Sequence, residues 1–261
     1  MHHTRPPAVA GMFYPADTTT LKHDIHSYLD QAATPRVQPK AIVVPHAGYI
    51  YSGPVAASAY SHIIPIKHKI KRVVLLGPSH RVAFKGLAVP ESDTFNTPLG
   101  DIAIDQTLIQ TLSDLPQVIT SDRAHQDEHS LEVQLPFLQE ILGDFTLIPL
   151  VVGDAEQEEV AEVINALWGD EHTLIVISTD LSHYHEYHQA KQLDRATSDA
   201  IENLKPELIG YEDACGRNGL KGMMTIAQKK HLTAEIIDLR NSGDTAGDKS
   251  RVVGYGAYVF H

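Results

Sequence analysis

Four short apolar runs, each breaking off into a loop that carries a chemically active side chain, constrain the fold of this chain most. The run AIVV at Ala41–Val44 ends in Pro45-His46-Ala47-Gly48. RVVLLGPSH at 72–80 ends in His80, and TLIPLVVGD at 146–154 ends in Asp154. TLIVISTDLSH at 173–183 passes through Asp180 to His183. Continuous apolar runs of this length read as buried strands. In open α/β sheets, ligands bind outside the carboxyl ends of the strands. Placed side by side and parallel, these runs bring His46, His80, Asp180 and His183 to one edge.

The segments between them alternate in kind. Asp17 is placed to cap a helix running to about Gln31. Helices are expected over 53–62, opened by Gly53-Pro54, and over 106–113, 155–168, 189–203 and 219–230. In 124–142, Leu131, Leu135, Leu138 and Leu142 share a helical face, and Pro136 predicts a kink. Short strands are expected within 85–90 and 93–105, and at 232–239 and 251–260. Residues 4–16 read as an extended arm packed by its aromatic side chains, and Met223-Met224 as core filler. With no internal repeat and no long linker, the 261 residues form one domain, 1–261. The fold class is α/β: a central mixed, largely parallel sheet flanked by helices.

Composition narrows the function. A net charge of −12 argues against an extended nucleic-acid surface, which needs a basic patch, and against docking on anionic lipid. No run approaches the roughly 20 apolar residues of a membrane span. The N-terminal stretch lacks the apolar core of a signal peptide. One cysteine, Cys215, excludes an internal disulfide. A cytoplasmic protein is expected. There is no GxGxxG and no Walker-type loop, so nucleotide binding has no support, and there is no GxSxG elbow.

Of the sixteen histidines, His23, His26, His62, His68, His172 and His231 read as solvated surface residues. His46, His80 and Cys215 form the sharpest set. Two imidazoles and a thiolate suit zinc, iron or copper, and three protein ligands leave positions open for water or substrate. Spacing alone favours the blander reading, two loop histidines and a buried structural cysteine. Cys215 precedes a predicted helix whose N-terminal dipole would lower its pKa. His183 suits a general acid or base, with Asp180 fixing its tautomer or a metal-bound water. Glu128 and His129 either cap a helix or reach the same pocket. Tyr49 and Tyr51 either wall a pocket or pack in the core. His185 and His188 read as solvated.

Seven blocks, RPPAVAGMFYPAD, VVPHAGYIYSGPVAASAY, LLGPSHRV, DTFNTPLGDIAID, DEHSLEVQLPFLQ, STDLSHY and DACGRNG, occur in this order over nearly the whole chain. Together they closely resemble the Memo family (mediator of ErbB2-driven cell motility and its bacterial and archaeal relatives). That resemblance implies a fold similar to class III extradiol dioxygenases, which are non-haem iron enzymes. It implies metal ligands at His46, His80 and Cys215, with Asp180 and His183 in the pocket and His183 as acid/base. Where those dioxygenases use two histidines and a carboxylate, Cys215 stands in the carboxylate's place, so copper or zinc competes with iron. The expected cofactor is one transition metal ion, iron or copper first and zinc after them. The expected function is metal-dependent redox chemistry on a small-molecule or peptide substrate. The alternative is a non-catalytic metal-binding or protein-interaction module using the same cleft. Radical-SAM and AMMECR-type proteins are implied as pathway partners.

Overall fold

The computed structural model describes residues 3–261; Met1 and His2, the start of the stretch read for a leader, lie outside the described residues. The four apolar runs form adjacent strands. Ala41–Val44 lies parallel to Thr173–Ser178, which lies parallel to Arg72–Pro78, which in turn lies parallel to Thr146–Val152. Val43, Val74, Leu75, Leu150 and Val176 have no exposed surface. Such runs, apolar on both faces, are what a parallel sheet covered on both sides requires. Each fully buried aliphatic side chain contributes about 1.5–3 kcal/mol to folding.

Among the described residues the sheet reaches twelve strands, by additions at both edges. Beyond Thr146–Val152, Gly100–Ile104 pairs parallel, then Thr94–Thr97 antiparallel, then Thr4–Arg5 parallel. Leu87–Val89 also pairs with Thr146–Val152, antiparallel, and carries Val118–Thr120, a strand the sequence did not signal. Beyond Ala41–Val44, Val252–Phe260 runs antiparallel and bonds Ala234–Asn241 and the short His183–His185. The sheet is thus mixed, with a parallel centre. Helices flank it: Arg217–Lys229 lies on the central strands and packs against Gln157–Ala166, while Thr18–Gln31, Tyr49–Tyr60 and Leu135–Leu142 pack together.

Two helices depart from expectation. The first begins at Tyr49, not Gly53, because the Tyr49 N–H bonds the Phe13 carbonyl and Gly48 accepts from Ser52 N–H. Pro54 is tolerated inside it because Ile50, whose carbonyl loses its partner, is exposed to water. The expected helix over 124–142 is broken. Asp122–Gln126 is one short helix, capped by Ser121. After a 3₁₀ turn at Glu132–Gln134, a second runs Leu135–Leu142 with Pro136 in its first turn, where the missing N–H costs nothing. The non-helical residues between them, 127–131, build the site. Elsewhere, His62 is buried, with Nδ1 on the Ser58 carbonyl, and is not the surface residue expected.

Candidate metal centre

The register aligns the strand ends: Val44 pairs with Ser178, and Pro78 with Val152. Two residues beyond those ends stand His46, Asp180, His80 and Asp154. All four line one cleft of about 1260 Å³. A donor atom from each of His46, His80 and Cys215 lies within 4.8 Å of the others.

Two close approaches complete the cluster. A Cβ on Gly77 would meet Ser130 Oγ at 2.8 Å and Leu131 at 2.9 Å; without one, the 128–131 segment lies against the strand end that carries His80. A Cβ on Gly216 would meet the Ser178 carbonyl oxygen at 2.6 Å, so glycine there lets Cys215 reach the same edge.

Hydrogen bonds fix which nitrogen of each histidine is free. Ser178 donates its hydroxyl hydrogen to the Ser130 carbonyl (2.6 Å) and accepts from Gln134 Nε2 (2.9 Å). Its remaining lone pair can only accept, so the 2.9 Å contact with His46 places a hydrogen on Nδ1. His46 Nε2 therefore bears a lone pair, 3.4 Å from Cys215 Sγ. Glu128 does the same for His80. Its Oε1 accepts from His80 Nδ1 and from Ser130 N–H, both at 2.9 Å, and its Oε2 accepts from His80 N–H at 2.5 Å. A histidine that gives its other N–H to a carboxylate is the usual arrangement behind a metal ligand.

The electrostatics agree. Burial alone would raise the Glu128 carboxyl, but the His80 and Ser130 hydrogen bonds hold it at about 2. Burial, with His80 and His129 beside it, pushes His46 well down, so its ring is neutral. Cys215 corrects the expectation of a low pKa. Burial and the nearby Asp180 carboxyl push its thiol up to about 12, outweighing the helix dipole. Sγ nevertheless accepts the Asp180 N–H at 3.3 Å. A cation between the three donors is what would offset the thiolate's charge. The donor set fits a transition metal: two imidazole lone pairs and one sulfur converge, with their outer atoms already bonded.

His80, Glu128 and His129 form a second group of donor atoms. There the Glu128 oxygens already accept from His80 N–H, His80 Nδ1 and Ser130 N–H, so the carboxylate is engaged in orienting His80. His129 stacks on His80, with ring centroids 4.6 Å apart, and packs against Phe13 at 4.7 Å. Phe13 belongs to the N-terminal arm. Glu132, fully buried, holds that arm by accepting from Arg5, Ala8 N–H, Val9 N–H and the Tyr14 hydroxyl. Asp180 accepts the His46 N–H at 2.8 Å, and burial raises its pKa.

His183 and Tyr51 line the cleft. His183 sits at a β-bulge where Tyr184 takes φ 63°, an arrangement that re-aims side chains. Tyr49 does not line the cleft. It is buried among Tyr14 and Phe137, its hydroxyl on the Val133 carbonyl, because it starts a helix whose inner face it occupies. Sequence reasoning missed Ser130, Gln134 and Ser178. The one signal was three polar side chains set among apolar neighbours, a pattern that marks buried polar work only once the fold is known.

Comparisons with known proteins place the chain. The family described as Memo-like protein matches residues 5–259. A MEMO1 family protein of Aquifex aeolicus is 38% identical over 98% of both chains. One from Sulfolobus acidocaldarius is 34% identical over 96% of this chain and 97% of its own. The crystal structure of the uncharacterized protein JW3007 from Escherichia coli K12 matches with a TM-score of 0.51 at 13% identity, covering 82% of this chain and 98% of that one; this likeness bears on the fold. By sequence over nearly its whole length, the chain belongs to the Memo-like family.

Proposed function

We propose that this protein holds one transition metal ion with His46 Nε2, His80 Nε2 and Cys215 Sγ, and uses it for redox chemistry on a small molecule entering the cleft. One observation carries the reading: three donors lie within 4.8 Å of one another, and both histidine tautomers are set by bonds on the far side of the ring. Two imidazoles and a thiolate favour iron or copper, with zinc third. When bound, such an ion supplies electron transfer and Lewis acidity at positions left open to the cleft.

The chain's own groups supply the rest. Ser178 and Glu128 orient the two rings. Asp180 keeps the His46 loop in place through its Oδ1, which accepts the His46 N–H. His183, half-buried on the cleft wall, is placed to take or give a proton to a bound molecule. Radical-SAM and AMMECR-type proteins are proposed as pathway partners on the resemblance alone.

The test is elemental analysis of anaerobically purified protein beside His46→Ala and Cys215→Ser. Near-stoichiometric iron or copper, lost in both variants, is the expected result. No metal in the native protein, and none taken up on reconstitution, overturns the reading. Oxygen consumption unchanged by His183→Ala would remove the proton role.

A further inference from the structure

The mouth of the cleft carries a feature that the metal donors do not explain. Arg5, Arg72, Arg195 and Arg240 are each paired with a carboxylate. Arg81, Arg217 and Arg251 line the cleft, and among the described residues none of them has a carboxylate within ion-pair distance. Arg36 and Arg123 are likewise without an ion pair but stand away from the cleft, so three of the five arginines without an ion pair among the described residues gather on this one lining, in a chain of net charge −12.

Two of these arginines are braced in the same way. The Arg217 guanidinium lies over the Tyr211 ring, 4.1 Å from its centroid, and Arg251 lies over Tyr184 at 5.4 Å. Both tyrosines are exposed large side chains, 72% and 63% accessible, which burial does not account for. A guanidinium with its face on an aromatic ring keeps the N–H groups of its edge free, in a planar fork that matches carboxylate and phosphate oxygens. Tyr184 is moreover held at φ 63°, a conformation that costs a non-glycine residue free energy and that clusters at ligand sites. The two pairs come from separate segments: Tyr211 and Arg217 flank Cys215, while Tyr184 lies in the bulged His183–His185 strand and Arg251 just before its partner Val252–Phe260. Acidic side chains also line the cleft. They are Asp154, Asp180, Glu212 and Asp248: one oxygen of Asp248 accepts from Ser250 N–H and hydroxyl, Asp180 accepts the His46 N–H, and none of the four is ion-paired with these arginines.

We propose that the cleft selects a small organic oxyanion, carboxylate or phosphate, held at the mouth by Arg217 and Arg251 in their tyrosine-braced positions. The inference names the substrate class of the metal cleft and rests on that reading for its reaction. The binding itself is a property of the arginines and needs no metal.

Metal-free protein is titrated calorimetrically with succinate, adipate, phenyl phosphate and glycerol 1-phosphate, with metal uptake measured on every variant in parallel. Saturable binding of the carboxylate pair or of the phosphate pair is expected, and identifies which oxyanion is used. Arg217→Gln with Arg251→Gln should weaken it at least about tenfold, since each charged hydrogen-bond donor is lost, while metal uptake stays intact. Arg217→Lys with Arg251→Lys, which keeps the charge but not the braced fork, should fall between. His46→Ala should lose metal uptake and keep anion binding, which separates failure of the metal reading from failure of this one. No saturable binding of any of the four up to millimolar concentration overturns the proposal, as does binding unchanged in the double Gln variant.

Discussion

Glu128→Gln tests the core of the site without changing its size. In the native protein all three N–H groups that surround this side chain donate to it: His80 N–H to Oε2, and His80 Nδ1–H and Ser130 N–H to Oε1. A carboxylate accepts all three; an amide has one accepting oxygen and one donating nitrogen. If the amide oxygen faces the two donors at Oε1, its NH₂ meets the His80 backbone N–H, and two donors collide. If it faces the backbone N–H, its NH₂ points at His80 Nδ1, which must then accept. The ring's hydrogen moves to Nε2, and the nitrogen that should bind metal becomes a donor. Either outcome weakens His80 as a ligand. Loss of such a supporting carboxylate lowers metal affinity by about 10–100-fold, or about 1.4–2.7 kcal/mol. The assay is anaerobic competition for Fe(II) or Cu(I) against a chelator of known affinity, with circular dichroism to confirm the fold. Affinity equal to wild type would refute the claim that Glu128 fixes the His80 tautomer.

Three further outcomes are expected. Gly216→Ala drives a Cβ to 2.6 Å from the Ser178 carbonyl oxygen, so Cys215 is displaced; metal uptake should fall sharply and stability drop by about 1–3 kcal/mol, read by uptake and urea unfolding. Glu132→Ala strands the buried Arg5 guanidinium and should cost about 3–5 kcal/mol in denaturant unfolding; a loss below 1 kcal/mol would show the pair is not what holds the arm. His125 has Nε2–H on the Ala88 carbonyl and an unpartnered buried Nδ1, and burial holds its pKa at about 4. The unfolded chain binds a proton on this group near pH 6.5 while the folded chain stays neutral to about pH 4, so stability falls as pH falls through that window, by roughly 3 kcal/mol at 1.36 kcal/mol per pH unit. His125→Gln should flatten the pH dependence of urea midpoints between those values; an unchanged slope would assign it to other groups.

What the sequence made legible followed from chain-local rules. A run of buried β-branched residues specifies a strand wherever it sits, and strands of a parallel sheet end at one edge. That is why Ala41–Val44, Arg72–Pro78 and Thr173–Ser178 carried His46, His80 and Asp180 to the cleft as expected. The family blocks then supplied Cys215, which periodicity leaves as an isolated thiol. The local rules failed where tertiary contacts decide. Leucines at helical spacing argued for one helix over 124–142, yet Glu128 and Glu132 are buried, and a buried carboxylate must be met by donors. Those donors come from His80, 48 residues earlier in the chain, and from the N-terminal arm, 118 or more residues earlier. Tyr49 failed for a related reason: a residue next to a site histidine in sequence points away from it once the chain turns into a helix.

The same contrast orders the site's physics. Cys215 stands before a helix of 13 residues, where the dipole favours a thiolate, yet the thiol is pushed up to about 12. The helix dipole is worth at most about 2 kcal/mol in a partly buried setting. Desolvating a thiolate beside a second acid outweighs it. A cysteine built for nucleophilic attack would sit in an electropositive, partly exposed place. This one sits between a neutral histidine and a buried aspartate, with an N–H on its sulfur. Such a pocket opposes a free thiolate and favours one whose charge is shared with a cation. The features that make Cys215 a poor nucleophile are therefore the ones that suit it to the proposed role of metal ligand, alongside two rings opposite whose Nδ1 hydrogens are already committed to Ser178 and Glu128.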